Sequence, residues 1–244
     1  MLETDSIIEP EMKYVRSLGL NSQNRRDALD SLIDEYSTVA YFYQQRAMPL
    51  YKEDKDELGL PFLEKAAELN PEQYLDYMGF MKCIFSKEYR SAIVDFKRVL
   101  ALNGESYVMD HTYYFYIGLS YLQLNEFQKA KEYLEKSVAQ TEAEKDGDRE
   151  WVHFLDLMYL GIANLELQDC KNANLAFDEA LRKYLSFGDV KYYKAKCLSH
   201  LGELELSREL FKETKEDILN GNTINEDNVF YERYPYQLRV NRFR

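Results

Sequence analysis

Proline and glycine are scarce in this chain, at 5 and 10 of 244 residues. Both disfavour helix interiors, so their scarcity leaves room for a nearly all-helical fold. Cysteine is scarce too. Cys83, Cys170 and Cys197 are odd in number, far apart and without a Cys-x-x-Cys pair. That excludes a disulfide framework and reads as buried, reduced thiols. No apolar run reaches the length of a membrane span. The opening MLETDSIIEPEMK is polar and acidic, unlike a signal peptide, so the expected location is the cytoplasm. There is no phosphate loop, nucleophile elbow or zinc signature, and neither an enzyme nor a cofactor is expected. The acidic runs Glu53 to Glu57 and Glu142 to Glu150 lack calcium-loop spacing and read as solvated turns.

Positive charge is in deficit. The net charge of −12 disfavours a nucleic-acid partner. Its distribution is uneven: Glu232 to Arg244 carries four Arg and one Glu, or +3, leaving −15 elsewhere. What the chain has in abundance is aromatic surface, with 21 Tyr and 13 Phe.

The stretch His111 to Glu144 carries two back-to-back helical patterns. Tyr114, Ile117, Tyr121, Leu122 and Leu124 share one face around Gly118. After the turn Asn125-Glu126 come Phe127, Ala130, Tyr133, Leu134 and Val138. Spacings of three and four place each set on one helix face. Gly118 and Ala130 allow close approach, and Tyr114, Tyr121 and Leu134 fill the space around it. The pattern Tyr114, Ile117, Gly118, Tyr121, then Ala130, Leu134, Ser137, resembles the tetratricopeptide repeat (TPR), a 34-residue helix–turn–helix unit. The family's closing Pro is replaced by Glu142.

The resemblance implies an all-α, right-handed TPR superhelix of about five helix-turn-helix units with capping segments at both ends. Residues 1–39 read as an N-terminal segment and capping helix. The segment before Asn24 is broken by Pro10 and Gly19. The solenoid spans 40–220, with units near 40–73, 73–106, 111–144, 154–187 and 188–221. In the first, Leu63, Ala66 and Pro71 fit and Pro49 should kink the opening helix. In the second, Gly79 comes one residue early relative to Ala92: either the turn near Ser86 to Glu88 holds an extra residue or the helix is rotated. Ala130 to Ala173 spans 43 residues against the usual 34, so a longer helix end plus a loop is expected there. Residues 222–244 form an aromatic, basic tail, too apolar to be solvated and interrupted by Pro235. It packs on the last repeat, enters the groove, or is ordered by a partner.

In that architecture the first helix of each unit lines the concave face. The resemblance then assigns partner contacts to Tyr74, Tyr77, Phe115, Leu119, Leu122, Met158, Ile162, Leu165, Tyr192 and Lys196, with Leu155 and Asp189 in the same register. Such a face would suit an amphipathic helix or an apolar peptide. Alternatively the tail or N-terminal segment covers it. The TPR subtype that grips acidic chaperone termini needs Lys, Asn and Arg there. Phe115, Leu119, Met158 and Ile162 stand in those places, and only Lys196 fits in kind. His111, His153 and His200 lie on different repeats, none at ligand spacing from a Cys or carboxylate. They read as surface or cap residues and not as metal ligands.

The expected function is a protein–protein interaction module, an adaptor or a toxin-neutralising immunity protein. The alternatives are a secretion-type chaperone holding an apolar cargo segment and a peptide-sensing regulator. The partner is a protein or peptide, with neither nucleic acid nor membrane involved.

Overall fold

An amphipathic helix must bury its apolar stripe, and a short turn lets the next helix supply the cover. The computed structural model, which describes residues 3–243, repeats this solution five times. Twelve α-helices occur among the described residues. They divide into two compact bodies at Gly104–Glu105.

The N-terminal body holds α1 (Glu3–Ser17), α2 (Gln23–Glu35), α3 (Ala40–Tyr51), α4 (Asp56–Leu69), α5 (Pro71–Ile84) and α6 (Tyr89–Asn103). α3 pairs with α4 and α5 with α6, while α2 packs on α3. The expectation that Pro10 breaks the first segment is corrected: α1 runs through it. Pro10 sits on the exposed side, whereas Met12 and Val15 on the other side join Leu29, Leu32, Val39 and Phe42 in one core. Burial of that face outweighs the lost backbone donor. Arg25, itself buried, donates from Nη1 to the Val15 carbonyl at 2.9 Å and so satisfies the end of α1. Lys82 and Asp95 form an ion pair at 2.9 Å between α5 and α6.

The C-terminal body opens with a two-stranded hairpin, β1 (Tyr107–Val108) and β2 (His111–Thr112). α7 (Tyr113–Gln123) pairs with α8 (Phe127–Glu144), α9 (Phe154–Glu166) with α10 (Cys170–Lys183), and α11 (Gly188–His200) with α12 (Leu204–Leu219). α8 spans 18 residues, so the extra length after it is a longer helix followed by a turn. Short 3-10 turns occur at Arg149–Trp151, Asp227–Phe230 and Val240–Arg242.

The turn chemistry repeats. Asp54, Lys87, Asn125, Gln168 and Gly202 each stand two residues before the second helix of a hairpin, and each has a left-handed φ between 56° and 84°. In the last three hairpins the residue after it donates its N–H five residues back, as in Glu126 to Tyr121 at 3.0 Å. In α5–α6 the corresponding bond runs six back, from Glu88 to Lys82. The extra residue suspected there is therefore in the turn, and α5 is not rotated. Gly79 still faces Phe96, just as Gly118 faces Leu134 and Gly161 faces Phe177.

Candidate functional site

The residues expected to meet a partner in the C-terminal body lie on α7, α9 and α11. Phe115, Leu119 and Leu122 on α7, and Met158, Ile162 and Leu165 on α9, are all buried. On α11, Tyr192 and Lys196 are partly exposed. Tyr192 turns its ring toward Phe211 of α12, at 5.5 Å, and Lys196 lies 5.9 Å from the Tyr193 ring. In the N-terminal body Tyr74 is buried and Tyr77 half-buried, its hydroxyl against the Met48 sulfur. Burial lifts the Tyr74 phenol to about 12.

Chain beyond α12 returns to these helices. Tyr159 on α9 donates its hydroxyl to the Pro235 carbonyl at 2.7 Å. Tyr193 on α11 donates to the next carbonyl, that of Tyr236, also at 2.7 Å. Asp189, fully buried at the start of α11, receives the Thr223 hydroxyl at 2.6 Å, the Ile224 N–H at 3.1 Å and the Leu238 N–H at 2.6 Å. Gln237 closes the loop by donating to the Ile224 carbonyl at 3.2 Å. Burial raises the Asp189 carboxyl even though these donors pull it down.

Tyr159 and Tyr193 were not among the residues assigned from sequence. The signal was present: Leu155, Tyr159 and Ile162 share one helix face, as do Asp189, Tyr193 and Lys196, by spacings of four and three.

A second group gathers around the β2 strand. His111, expected from the sequence to be a surface or cap residue, is buried, because β2 runs into α7 and its ring stacks on Phe115 at 3.8 Å. Its Nδ1 lies 3.2 Å from an Asp156 carboxylate oxygen. Ser137 donates to the other oxygen of Asp156 and lies 2.6 Å from the Thr112 hydroxyl. His153 does cap α9, its Nδ1 accepting the Leu155 N–H at 3.3 Å, and its ring meets His111 edge-on at 4.8 Å. Glu226, from the returning chain, places one oxygen 3.8 Å from His111 Nε2 and 3.9 Å from His153 Nε2. Burial alone would lower the His111 pKa, but Asp156 and Glu226 lift it to about 9. Burial and the charge on His111 lower His153. Burial would raise Glu226, but His111 holds it below the usual carboxylate value.

The third histidine, His200, is exposed at the end of α11, with Nδ1 3.9 Å from the Cys170 sulfur. All three cysteines are free and buried. No helix among the described residues is long and apolar enough to cross a membrane.

Antiparallel helix pairs, each closed by a left-handed residue and packed through a small residue at the crossing, define an all-α hairpin-repeat solenoid. A tetratricopeptide-repeat family model matches residues 111–143, and a second matches 160–220. PilW, a widely conserved type IV pilus biogenesis factor, is similar with a TM-score of 0.66 at 13% identity, over 88% of this chain and 93% of its own. MamA from Desulfovibrio magneticus RS-1 gives 0.62 at 17%, over 74% and 96%. YrrB, described as a TPR protein with an unusual peptide-binding site, gives 0.57 at 18%, over 79% and 93%. At such identities the likeness is one of fold. No curated protein matches the sequence. The chain carries tetratricopeptide repeats over those two stretches. Its repeats support a protein–protein interaction module, on a fold generally used as a non-catalytic scaffold.

Proposed function

We propose that the chain is a cytoplasmic adaptor or toxin-neutralising protein that binds a folded, basic partner, and that residues 222–238 are docked as a permanent part of its C-terminal body. The observation that carries this reading is Asp189, a buried carboxylate receiving three hydrogen bonds from two separate points of the returning chain. Phe115, Leu119, Leu122, Met158, Ile162 and Leu165 are buried and so closed to an incoming apolar segment. A secretion-type chaperone would need them open. Contact then falls to residues of the C-terminal body that keep exposure, Tyr192 and Lys196, and to the acidic surface. A net charge of −12 steers a basic partner and makes its association rate salt-sensitive. Free, buried cysteines suit the cytoplasm.

A second reading has its own support. Tyr159 and Tyr193 grip consecutive main-chain carbonyls, those of Pro235 and Tyr236, which is how a bound peptide is held. In that reading the docked segment stands in for a peptide that displaces it.

The test is affinity capture from the source cells with the intact chain and with Asp189→Asn, followed by binding kinetics at low and high salt. A folded basic partner, bound equally by both and losing association rate in salt, supports the first reading. A peptide or unfolded segment bound only by the variant, with little salt effect, overturns it.

A further inference from the structure

We propose that His111, His153 and Glu226 form a binding site for a divalent transition-metal ion of the zinc class, with Asp156 orienting His111, and that the ion fastens the returning chain to the hairpins before it.

Two imidazoles and a carboxylate are a donor set suited to zinc and its neighbours. One carboxylate oxygen faces both rings: Glu226 Oε1 lies 3.8 Å from His111 Nε2 and 3.9 Å from His153 Nε2. Those separations are too long for hydrogen bonds. They are within the span of two ligands on one ion, at most about 4.2 Å when each bond is about 2.0–2.2 Å. Seating zinc needs a contraction of about half an ångström toward a tetrahedral edge. The donor atoms of His111, His153 and Asp156 also lie within 4.8 Å of one another.

His111 Nε2 supplies an independent sign. Its side chain is 0% exposed, and this nitrogen has no hydrogen-bond partner. Buried polar nitrogens are seldom left so. The other ring nitrogen is already engaged by Asp156 at 3.2 Å, and Asp156 is held in turn by Ser137. A carboxylate behind a histidine, fixing its tautomer while the far nitrogen faces an ion, is the usual support of a metal-bound imidazole. Stacking on Phe115 fixes the ring plane. His153, 33% exposed at the side chain, gives the ion a way in.

The protons balance. His111 keeps Nδ1–H toward Asp156 and releases the proton on Nε2 to solvent. His153 moves its ring proton from Nε2 to Nδ1, giving up the 3.3 Å bond from the Leu155 N–H. Asp156, Glu226 and two neutral imidazoles then neutralise the divalent charge.

The test titrates the chelator-treated full chain at about pH 8, where binding must release the His111 proton to solvent, with zinc chloride by calorimetry and with cobalt(II) by visible spectroscopy. The expected result is one ion per chain, a low-coordinate cobalt spectrum, and slower protease cleavage within 222–238 when zinc is present. His153→Ala and Glu226→Gln should each lose at least about tenfold in affinity, and Asp156→Asn about 10- to 100-fold. Helical circular dichroism checks that each variant is folded, and His153→Ala, at a partly exposed cap, carries the test if a buried variant is not. No stoichiometric binding, or an affinity unchanged in both His153→Ala and Glu226→Gln, overturns the site and leaves an ion-pair cluster. None of these readouts depends on a protein partner.

Discussion

The Asp189 carboxylate accepts the N–H of Leu238, 49 residues downstream, at 2.6 Å, while its other oxygen accepts from Thr223 and Ile224. Asp189→Asn keeps one acceptor oxygen but turns an amide N–H toward a backbone donor. The cost should be about 1–3 kcal/mol. Hydrogen exchange should report it first at Ile224 and Leu238.

Because burial raises the Asp189 carboxyl, folding takes up a proton at this residue. Its favourable contribution is complete below the ordinary carboxylate value of about 4 and is lost as pH rises through the folded value. The stability difference between the natural chain and Asp189→Asn should therefore be largest near the acid end and shrink upward from there. Urea denaturation at stepped pH measures it. A difference that grows with pH would contradict the sign.

Tyr159 and Tyr193 hold adjacent carbonyls, so their losses should couple. Tyr159→Phe and Tyr193→Phe should each cost about 0.5–1.5 kcal/mol. The double change should depart from the sum, because one released carbonyl frees its neighbour. Limited proteolysis within 222–238 is the direct reading.

A methyl group at Gly161 would stand 2.4 Å from the Phe177 ring, and one at Gly118 would stand 2.6 Å from the Leu134 side chain. Gly161→Ala and Gly118→Ala should each cost about 1–3 kcal/mol, or several degrees in Tm. Gly19→Ala, where the nearest atom is 3.8 Å away, should be close to neutral and serves as the control.

Gly202 differs: nothing lies within 4 Å of the added carbon, but its φ is +84°. Gly202→Ala should cost about 1–2 kcal/mol through the backbone alone. Gly202→Asn should cost less, since Asn125 occupies the matching turn position at φ 57°. Thermal unfolding separates the two.

What could be seen from the sequence was what repeats locally. The small residues Gly118 and Gly161, the turn at Asn125 and the apolar periods around them follow from contacts a few turns apart, which helical spacing reports directly. Gly79 looked misplaced only because a four-residue turn, Phe85 to Glu88, stands where later hairpins have three. The histidine group was hidden for the opposite reason. His111 meets Asp156 across 45 residues, and Glu226 arrives from beyond the last repeat. No helical period links residues that the stacking of α7 against α9 and a returning loop bring together. Pro10 misled because its rule concerns the backbone, while Met12 and Val15 supply the burial that overrides it.

In an uninterrupted stack, order can begin at any hairpin and spread to its neighbours, since each contact is short in sequence. The Tyr159–Pro235 bond spans 76 residues. Closing a loop of that length carries an entropic cost that hairpin contacts never meet. Refolding of the C-terminal body should therefore show a rapid gain of helix followed by a slower step. That later step marks the moment at which a chain of independent hairpins becomes a closed circuit, and it should vanish when Asp189 can no longer complete it.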